Sequence, residues 1–397
     1  MTGPAWSTVP KARLAAPGPV EVPPFVLEAM ARPPLHHRTE AFSALLLEVR
    51  RDLARLTCVA PDPGVLLLPG SGTTAFEAAL RATVPEGGRV VTVHAGRFGE
   101  RWAEMARALG HPVDEATAPW GEPVAPEAVA DVVRRVQEEE GRTGAGVAAV
   151  TLVHSETSTG VLHDVRAQAA AVRAVAPEAL IVVDVVTSLG VADLRPEAWG
   201  FDAIVAGSQK GLLLPPGLGL VWLSERAYAE PPDPPRAYAT DLHAELSRQA
   251  KGETGPTPPV TLVAGAAAVL PELLRDGGPE RLWTTRARLN DALLAAGAAI
   301  GFAPFARTPS PAVAAMRVPD GLRAPDVVAA FAARNVRIGG GQGPTRDTVI
   351  RPSTLGWADG LDVLALAGAL ESVARELGHD APYGAAVGAA ARVLEAA

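Results

Sequence analysis

The stretch VVDVVTSLG, residues 182–190, decides the fold together with GSQK, residues 207–210. The first is an apolar run that reaches an acid, Asp184. A second apolar run, residues 201–206, leads into a polar loop that ends with Lys210. About the length of one strand–connection–strand unit separates the two residues, so we expect the acid and the amine to emerge at the same edge of one sheet.

An acid and an amine that converge in this way suit pyridoxal phosphate as a cofactor. A lysine can form a Schiff base with the cofactor's aldehyde, and a carboxylate can keep its pyridinium nitrogen protonated, so that the ring withdraws electrons. Taken singly, an Asp after a strand is more often a loop or cap residue, and a Lys in a loop is more often solvated. Only the pair of Asp184 and Lys210, with the sequence around it, makes the cofactor hypothesis specific.

The composition is typical of a globular chain with more than one domain. Hydrophobic residues make up 48% and charged residues 20% of the 397 residues, which predicts one large domain and a smaller one. The formal net charge of −8 argues against a broad nucleic-acid interface. The single cysteine, Cys58, cannot form an intrachain disulfide, which fits a reducing compartment.

We expect a soluble, cytoplasmic protein without a membrane or nucleic-acid partner. The first twenty residues contain proline and charge and do not have the pattern of a signal peptide. The apolar run from Val263 to Leu274 is short for a membrane span and is interrupted by Pro271. The adjacent His36 and His37 have no further ligand at a useful spacing, so we predict no metal site.

A second motif has the composition of a phosphate-binding loop. The chain reads as a short strand, then PGSGTT at residues 69–74, then a helix from Ala75. Glycines let the backbone approach an anion, hydroxyls donate hydrogen bonds, and a helix N-terminus supplies free amides, which makes Ser71, Gly72 and Thr73 candidate ligands. The spacing matches neither a Walker loop nor GxGxxG. An ordinary Ser or Thr helix cap is the alternative interpretation.

The alternation of strand, polar loop and helix recurs along the chain. Residues 89–93 lead to a loop with Phe98, residues 147–153 lead to HSETSTG at residues 154–160, and residues 218–223 form a further strand that closes the sheet. This alternation predicts an α/β fold with a mainly parallel sheet covered by helices on both faces. The polar loops follow the carboxyl ends of strands, where open α/β sheets bind ligands. Phe98 is therefore a candidate for stacking on a planar ring, with a core anchor as the alternative.

Breaks in this pattern divide the chain into three parts. Residues 1–24 are rich in proline and are predicted to form an extended N-terminal arm, residues 25–260 a large cofactor-binding domain, and residues 261–397 a smaller α+β domain. The passage between the two domains includes PPDPP at residues 231–235. Residues 379–397 are rich in Ala and Gly, and we expect them to fray.

In these motifs the chain resembles class V aminotransferases of pyridoxal-phosphate fold type I, on the branch of the alanine–glyoxylate and serine–glyoxylate enzymes. The resemblance spans nearly the whole chain, and GSQK followed by PPG at residues 215–217 is its most specific part. It implies a mainly parallel sheet of the seven-stranded type between helices, a smaller C-terminal α+β domain, and a homodimer. The other matching motifs are PGP (17–19), HRTE (37–40), GSGT (70–73), FGER (98–101), ETSTG (156–160), VD (183–184) and SLG (188–190).

The resemblance also implies residue roles. Lys210 would form the Schiff base and shuttle a proton between the substrate's Cα and the cofactor's C4′, while Asp184 would pair with the pyridinium nitrogen. Arg351 would bind the substrate's α-carboxylate, which suits a bidentate guanidinium, and Gly18 would line the substrate pocket. The other implied cofactor contacts are Ser71, Gly72, Thr73 and Gln209 at the phosphate, Phe98 on the ring, Thr157 near the phenolic oxygen, and Thr257 from the other subunit.

Two departures from the family pattern leave the substrate open. The alanine–glyoxylate enzymes have a tyrosine where this chain has Thr254. Many relatives read Arg-Ile-Gly-His where this chain has Arg351-Pro352-Ser353-Thr354. Both positions lie near the cofactor or substrate in the family, so the sequence does not fix the amino donor or the acceptor.

The function implied by the resemblance is a homodimeric transaminase with a ping-pong mechanism. It would move the amino group of a small L-amino acid (alanine, serine or aspartate) to glyoxylate or pyruvate. A pyridoxal-phosphate lyase is an alternative, because pocket geometry selects which bond breaks. A desulfurase is disfavoured, since Cys58 precedes the phosphate loop and those enzymes use a cysteine in the C-terminal part. A non-catalytic cofactor-binding protein is a third alternative, against which the presence of Lys210 and Arg351 argues.

Overall fold

The computed structural model describes residues 11–140, 146–229 and 236–396. The first ten residues of the predicted arm and the predicted proline-rich passage at residues 231–235 lie outside these ranges. The strands are β1 (Arg13–Ala15), β2 (Leu66–Gly70), β3 (Arg89–His94), β4 (Val113–Thr117), β5 (Val147–Val153), β6 (Ser155–Glu156), β7 (Val161–Leu162), β8 (Leu180–Asp184), β9 (Ala203–Gly207), β10 (Gly217–Leu223), β11 (Ala303–Pro304), β12 (Met316–Arg317), β13 (Val336–Gly340) and β14 (Val349–Arg351).

The helices pack around two larger sheets, and a third sheet consists of the antiparallel pair β6 and β7. They are α1 (Pro24–Met30), α2 (Glu40–Thr57), α3 (Gly72–Thr83), α4 (Arg97–Ala108), α5 (Pro126–Glu140), α6 (Val165–Val175), α7 (Glu225–Tyr228), α8 (Leu242–Gln249), α9 (Val260–Leu273), α10 (Gly278–Ala298), α11 (Ala324–Ala333), α12 (Gly360–Glu376) and α13 (Ala385–Glu395). A short 3₁₀ helix spans Gly343–Thr345. Within the described ranges, the search found no helix with both the length and the apolar character needed to cross a bilayer.

The larger sheet has seven strands in the order β2-β10-β9-β8-β5-β3-β4. Strands β9, β8, β5, β3 and β4 are parallel to one another, and β10 runs antiparallel to both β2 and β9. The predicted α/β fold with a mainly parallel seven-stranded sheet is thus confirmed. The strand predicted at residues 218–223 does not close the sheet at an edge, because β10 lies between β2 and β9.

Both faces of this sheet are buried, which explains the nearly continuous apolar runs in the sequence. Successive residues of a strand point to opposite faces. Ile181 and Val183 accordingly belong to the core beneath α2, α5, α6 and α9, whereas Val182 belongs to the core beneath α3 and α4. Asp184 ends this alternation at the point where β8 leaves the core.

The second sheet has the order β1-β13-β14-β12-β11, and a separate hydrophobic core lies beneath it. Strand β1 pairs parallel with β13, Arg13 opposite Val336, while the other pairs are antiparallel. The described part of the predicted arm is therefore hydrogen-bonded, through β1, to a sheet whose other strands come from the C-terminal part of the chain. The division of the chain at residue 260 stays a prediction.

Two local expectations were wrong. Helix α3 begins at Gly72, not Ala75, because Ser71 and Thr74 form a reciprocal capping box that starts the helix three residues earlier. The C-terminal residues do not fray as expected, since residues 385–395 form α13, where Ala386 and Ala390 are fully buried. The carboxylate of Glu371 accepts hydrogen bonds from the amides of Gly384 and Ala386 and so fixes the start of this helix.

The side chain of Gln249 takes the place of a neighbouring strand at the outer edge of β2. Its amide oxygen accepts a hydrogen bond from the Leu67 amide at 3.0 Å, and its amide nitrogen donates to the Leu67 carbonyl at 2.8 Å. Gln249 is fully buried, and Glu245 accepts from the same amide nitrogen at 3.0 Å. This pairing holds in place the strand that leads directly to Gly70 and Ser71.

We expect Gln249→Ala to lower the free energy of unfolding by about 2–4 kcal/mol, because two buried backbone groups of Leu67 lose their partners. Ser247→Ala on the exposed side of α8 is the matched control and should change the free energy by less than about 0.5 kcal/mol. Urea unfolding followed by circular dichroism measures both. Equal midpoints for the two variants would contradict a structural role for the Gln249 amide.

Candidate active site

One cavity opens at the edge of the larger sheet where β2, β3, β5, β8 and β9 end. Seven of the predicted site residues line it, and five further lining residues were not predicted. The predicted residues in the lining are Ser71, Gly72, Thr73, Phe98, Asp184, Gln209 and Lys210. The additional residues are Phe76, Arg101, Ser155, Val186 and Thr187.

Asp184 is the last residue of β8 and is 5% exposed. Its Oδ1 accepts a hydrogen bond from the Val186 amide at 2.8 Å. Burial raises the pKa of Asp184 to about 7, and the neighbouring Glu156 adds to the shift, while the Val186 amide and Lys210 oppose it. Without a positively charged partner in contact, this carboxyl therefore titrates near neutral pH.

Lys210 follows β9 and extends into the same cavity. Burial lowers the pKa of Lys210 to about 8, with Arg351 and Arg101 adding to the shift and Asp184 opposing it. Its Nζ donates a hydrogen bond to the carbonyl of Pro17. A substantial fraction of this amine is uncharged at mildly alkaline pH, which is the form that attacks carbonyl carbon.

The N-terminal segment lies directly on Lys210. Gly18 has φ +103°, and a Cβ at this position would lie 2.6 Å from Lys210 Nζ. Only glycine fits both the backbone conformation and the space. Gly18 therefore lies beside the amine of Lys210, where the segment that continues from β1 brings it, and its place in a substrate pocket stays a prediction.

The start of α3 has a geometry that suits an anion. The hydroxyl of Ser71 caps the helix, and Gly72 and Thr73 supply first-turn amides that have no intrahelical acceptor. A Cβ on Gly72 would lie 2.9 Å from Val186 Cγ2, so glycine is required for this close packing. The side-chain oxygen of Gln209 is buried there without a hydrogen-bond partner among the described residues. An amide oxygen only accepts hydrogen bonds, so the group of Gln209 that is able to donate to an anion is its amide nitrogen.

Glu156 accepts four hydrogen bonds, two of which fix the start of α4, where Phe98 lies. Its Oε2 accepts from the amides of Phe98 and Gly99 at 3.0 Å each, and its Oε1 accepts from the Ser158 amide at 3.0 Å and the Ser158 hydroxyl at 2.5 Å. Burial raises the pKa of Glu156, and these four donors oppose the shift because they bind the charged form. All four groups donate to Glu156, which is the arrangement that an ionised carboxylate requires.

Sequence reasoning missed the role of Glu156, although ETSTG was noted as a motif. The available signal was a lone acid at the end of the apolar strand β5, in a segment otherwise made of hydroxyl residues. A fully buried acid requires dedicated donors. The sequence could have predicted that such donors exist, but not that α4 would supply two of them.

Arg351 and Thr157 meet beneath the cavity. Arg351, on β14, donates from Nη1 to the Thr157 carbonyl at 2.7 Å and from Nε to the Gly340 carbonyl at 2.8 Å. Burial lowers the pKa of Arg351 to about 10, and the charge of Glu156 opposes the shift. Both Arg351 and Thr157 are buried, and neither belongs to the cavity lining of this chain.

Thr257 is the predicted site residue that the single chain leaves apart. It is exposed in the segment between α8 and α9 and does not line the cavity. The two positions that departed from the family pattern, Thr254 and Thr354, are buried, and their hydroxyls have no hydrogen-bond partner among the described residues. Within those same ranges no group of His, Cys, Asp and Glu side chains could hold a metal ion.

A larger groove between α1, α2 and α9 is a poor candidate for chemistry. Apolar side chains such as Met30, Leu45 and Ala264 form most of its walls, and Arg32 is its one charged lining residue. Catalysis requires convergent polar groups, and these lie at the sheet edge instead.

Comparison with known proteins identifies the kind of site. A family model described as aminotransferase class-V matches residues 25–347. A protein of Anabaena cylindrica named soluble hydrogenase 42 kDa subunit is 37% identical over 97% of this chain and 99% of its own length. The L-aspartate–glyoxylate aminotransferase of Paracoccus denitrificans is 32% identical over 94% of each chain. The crystal structure of a subgroup IV aspartate aminotransferase from Thermus thermophilus is 41% identical, covers 92% of this chain and 99% of its own, and superposes with a TM-score of 0.83.

We expect the rate at which Lys210 reacts with a small aldehyde to rise with pH up to about 8 and then to level off. The physical reason is that only the uncharged amine attacks and burial favours that form. Reductive methylation with formaldehyde, followed by peptide mass spectrometry, measures this rate. The exposed Lys11 and Lys251 serve as internal controls for the reactivity of the reagent at each pH. In Asp184→Asn the plateau should begin at lower pH, because a negative charge that favours the ammonium form is lost. A rate that still rises steeply at pH 10 would contradict this environment for Lys210.

We expect Glu156→Gln to lower the free energy of unfolding by about 2–4 kcal/mol, because an amide group then faces N–H and O–H donors that the carboxylate had accepted. Glu100→Gln, on α4 and only half-buried, is the matched control and should cost less than about 0.5 kcal/mol. Thermal unfolding of both proteins provides the comparison. A similar small loss in both would show that the four contacts do not stabilise the fold.

Proposed function

This chain belongs to the aminotransferase class-V family, and from that membership we propose that it moves the amino group of a small L-amino acid to a small 2-oxo acid. The proposed donors are alanine, serine and aspartate, and the proposed acceptors are glyoxylate and pyruvate. The convergence of Lys210 and Asp184 on one cavity carries the proposal. The Paracoccus relative is named for L-aspartate and glyoxylate, which supports this choice of substrates.

The cavity suits pyridoxal 5′-phosphate, the cofactor of this enzyme family. The first turn of α3 would hold the phosphate with the amides of Gly72 and Thr73 and the hydroxyl of Ser71. Gln209, which lines the same cavity, would donate a further hydrogen bond to the phosphate from its side-chain amide nitrogen. Phe98 offers a flat apolar face to the ring. When bound, the cofactor withdraws electrons from the substrate's Cα and carries the amino group between the two half-reactions.

The residues around the cavity have different proposed roles in proton transfer and in contact with the cofactor ring. Lys210 Nζ would take the proton from the substrate's Cα and deliver it to the cofactor's C4′, a task that suits an amine with a pKa of about 8. Asp184 would hold a proton at the ring nitrogen, and its buried carboxyl already titrates near pH 7. Thr157 is proposed to contact the phenolic oxygen of the ring.

Arg351 is proposed to bind the α-carboxylate of the substrate. Its Nε and Nη1 donate to backbone carbonyls, which orients the guanidinium and leaves Nη2 without a hydrogen bond to the described residues. A buried guanidinium with one free edge is a strong receptor for a carboxylate. Gly18, in contact with Lys210, would form the opposite wall of the substrate pocket.

We further propose a homodimer in which Thr257 reaches the phosphate of the partner's cofactor. In support, Thr257 is exposed in the single chain, on a segment bounded by the structured helices α8 and α9. A ping-pong sequence follows from a single substrate site around Lys210, which donor and acceptor would occupy in turn. The proposed cytoplasmic location is consistent with the single cysteine, Cys58.

Two other functions deserve a test. A lyase would use the same Lys210 and Asp184, and only the fate of the amino acid distinguishes it from a transaminase. The hydrogenase name belongs to the Anabaena relative. The residues that converge here are a lysine, an acid and a helix start that suits an anion, which support amino-group transfer.

Rapid mixing of the cofactor-loaded enzyme with one amino acid at a time, without an oxo acid, tests the reaction type. We expect alanine, serine or aspartate to convert the cofactor's aldehyde absorbance stoichiometrically to that of its amine form. Glyoxylate or pyruvate should then reverse the change. Continuous formation of product from the amino acid alone, with the aldehyde absorbance regained, would replace the transaminase by a lyase.

We expect Lys210→Ala to lower kcat by at least about 10²–10⁴-fold, the usual contribution of a positioned proton-transfer group. Lys251→Ala, which removes an exposed lysine outside the cavity, is the control and should leave kcat unchanged. Single-turnover rates with saturating donor measure the effect. A variant of Lys210 that retains normal turnover would remove this residue from the proposed mechanism.

A further inference from the structure

Helix α4 carries three arginines, and one of them differs from the other two. Arg97 donates to Glu104 at 2.6 Å and to Glu100 at 3.3 Å, and Arg107 is paired with Glu115. Arg101 forms no ion pair with a described residue, and it is the arginine of this helix that lines the cavity with Lys210.

The position of Arg101 follows from the helical repeat. It lies one turn after Phe98, so both side chains project from the same face of α4. Its guanidinium carbon lies 5.2 Å from the centre of the Phe98 ring. Phe98 is in turn fixed by the hydrogen bond that its backbone N–H donates to Glu156. The stem of the Arg101 side chain, which lies next to Phe98, is therefore held in the cavity wall.

Two guanidinium groups act on Lys210 from different parts of the fold. Arg351 comes from β14 of the smaller sheet and Arg101 from α4, and both disfavour the ammonium form of Lys210. The nearby acids do not neutralise Arg101, because Glu156 is bound by four donors and Glu104 by Arg97. A substrate bound at Lys210 would therefore face two cations, and its α-carboxylate would satisfy one of them.

We propose that Arg101 binds the side-chain carboxylate of the amino donor, so that the enzyme prefers a dicarboxylic amino acid such as aspartate. The proposal rests on the proposed transaminase function, since it assigns Arg351 to the α-carboxylate. A planar guanidinium binds a second carboxylate well, and monocarboxylic donors such as alanine leave it without a partner. The cofactor's phosphate is the other anion that Arg101 could serve, and the experiment distinguishes the two.

Arg101→Gln tests the proposal because it keeps a hydrogen-bonding group and removes the charge. We expect kcat/KM for aspartate to fall about 100-fold, the loss typical of a desolvated charge pair, and kcat/KM for alanine to change less than about 3-fold. Arg97→Gln, one turn earlier on α4 and outside the cavity lining, is the matched control and should leave the aspartate-to-alanine ratio unchanged. An equal loss for both amino acids in Arg101→Gln would overturn the proposal.

A binding measurement gives an answer that does not depend on turnover. Succinate carries two carboxylates and no amino group, and propionate carries one carboxylate. The affinities are measured by titration calorimetry of the cofactor-loaded enzyme. We expect Arg101→Gln to lower the affinity for succinate about 30–100-fold and the affinity for propionate less than about 3-fold. If instead the variant binds both acids normally but has a lower affinity for pyridoxal 5′-phosphate, Arg101 serves the phosphate and the proposal is wrong.

Failure of the proposed transaminase function gives a different result from failure of the Arg101 proposal. If the wild-type enzyme transaminated no amino acid, the proposed function would fail while the preference for succinate over propionate could still be present. If it transaminated alanine and aspartate equally well and bound succinate no better than propionate, the function would stand and the Arg101 site would be excluded.

Discussion

Parallel pairing of buried strands is the constraint on which this structure depends. Strands β3, β5, β8 and β9 run in one direction, so their carboxyl ends must lie at one edge of the sheet. Helices cover both faces, so that edge is where their ends are free to carry polar groups. Glu156, Asp184 and Lys210 occupy strand ends or loops at this edge, and Phe98 lies in the first turn of α4 beside them, although the four are far apart in sequence. The chemistry of the cavity is a consequence of this geometry.

Charge burial gives the site its second property. Asp184 and Lys210 are both shifted toward their neutral forms, because neither has a contacting partner of opposite charge and each is largely removed from water. Glu156 is different, since four donors compensate its burial. The site therefore combines one well-compensated anion, which fixes the loops, with two groups close to titration at physiological pH. Such a combination is typical of sites that move protons.

The smaller sheet contributes more than a second core. Its β14 carries Arg351, and its β1 leads to Gly18, which lies against Lys210. Both contacts cross from the smaller sheet to the larger one. Arg351, proposed to bind the substrate, and Gly18, proposed to line its pocket, are thus both attached to strands of the smaller sheet. A movement of that sheet would displace the two residues together.

The sequence by itself determined the parallel strands of the larger sheet, and it predicted that Asp184 and Lys210 meet at one edge and that the turn at residues 71–73 suits an anion. Each of these depends on a strand–loop–helix pattern that can be recognised within a short stretch of the chain. Only the tertiary structure decided that β1 pairs with β13, that Gln249 completes the edge of β2, and that α13 packs instead of fraying. It also decided which buried groups meet: Glu156 with the start of α4, Arg351 with the Thr157 carbonyl, and Arg101 with the cavity that holds Lys210. The physical reason is that each of these contacts joins segments with no common periodicity, and their partners are set by how whole elements pack.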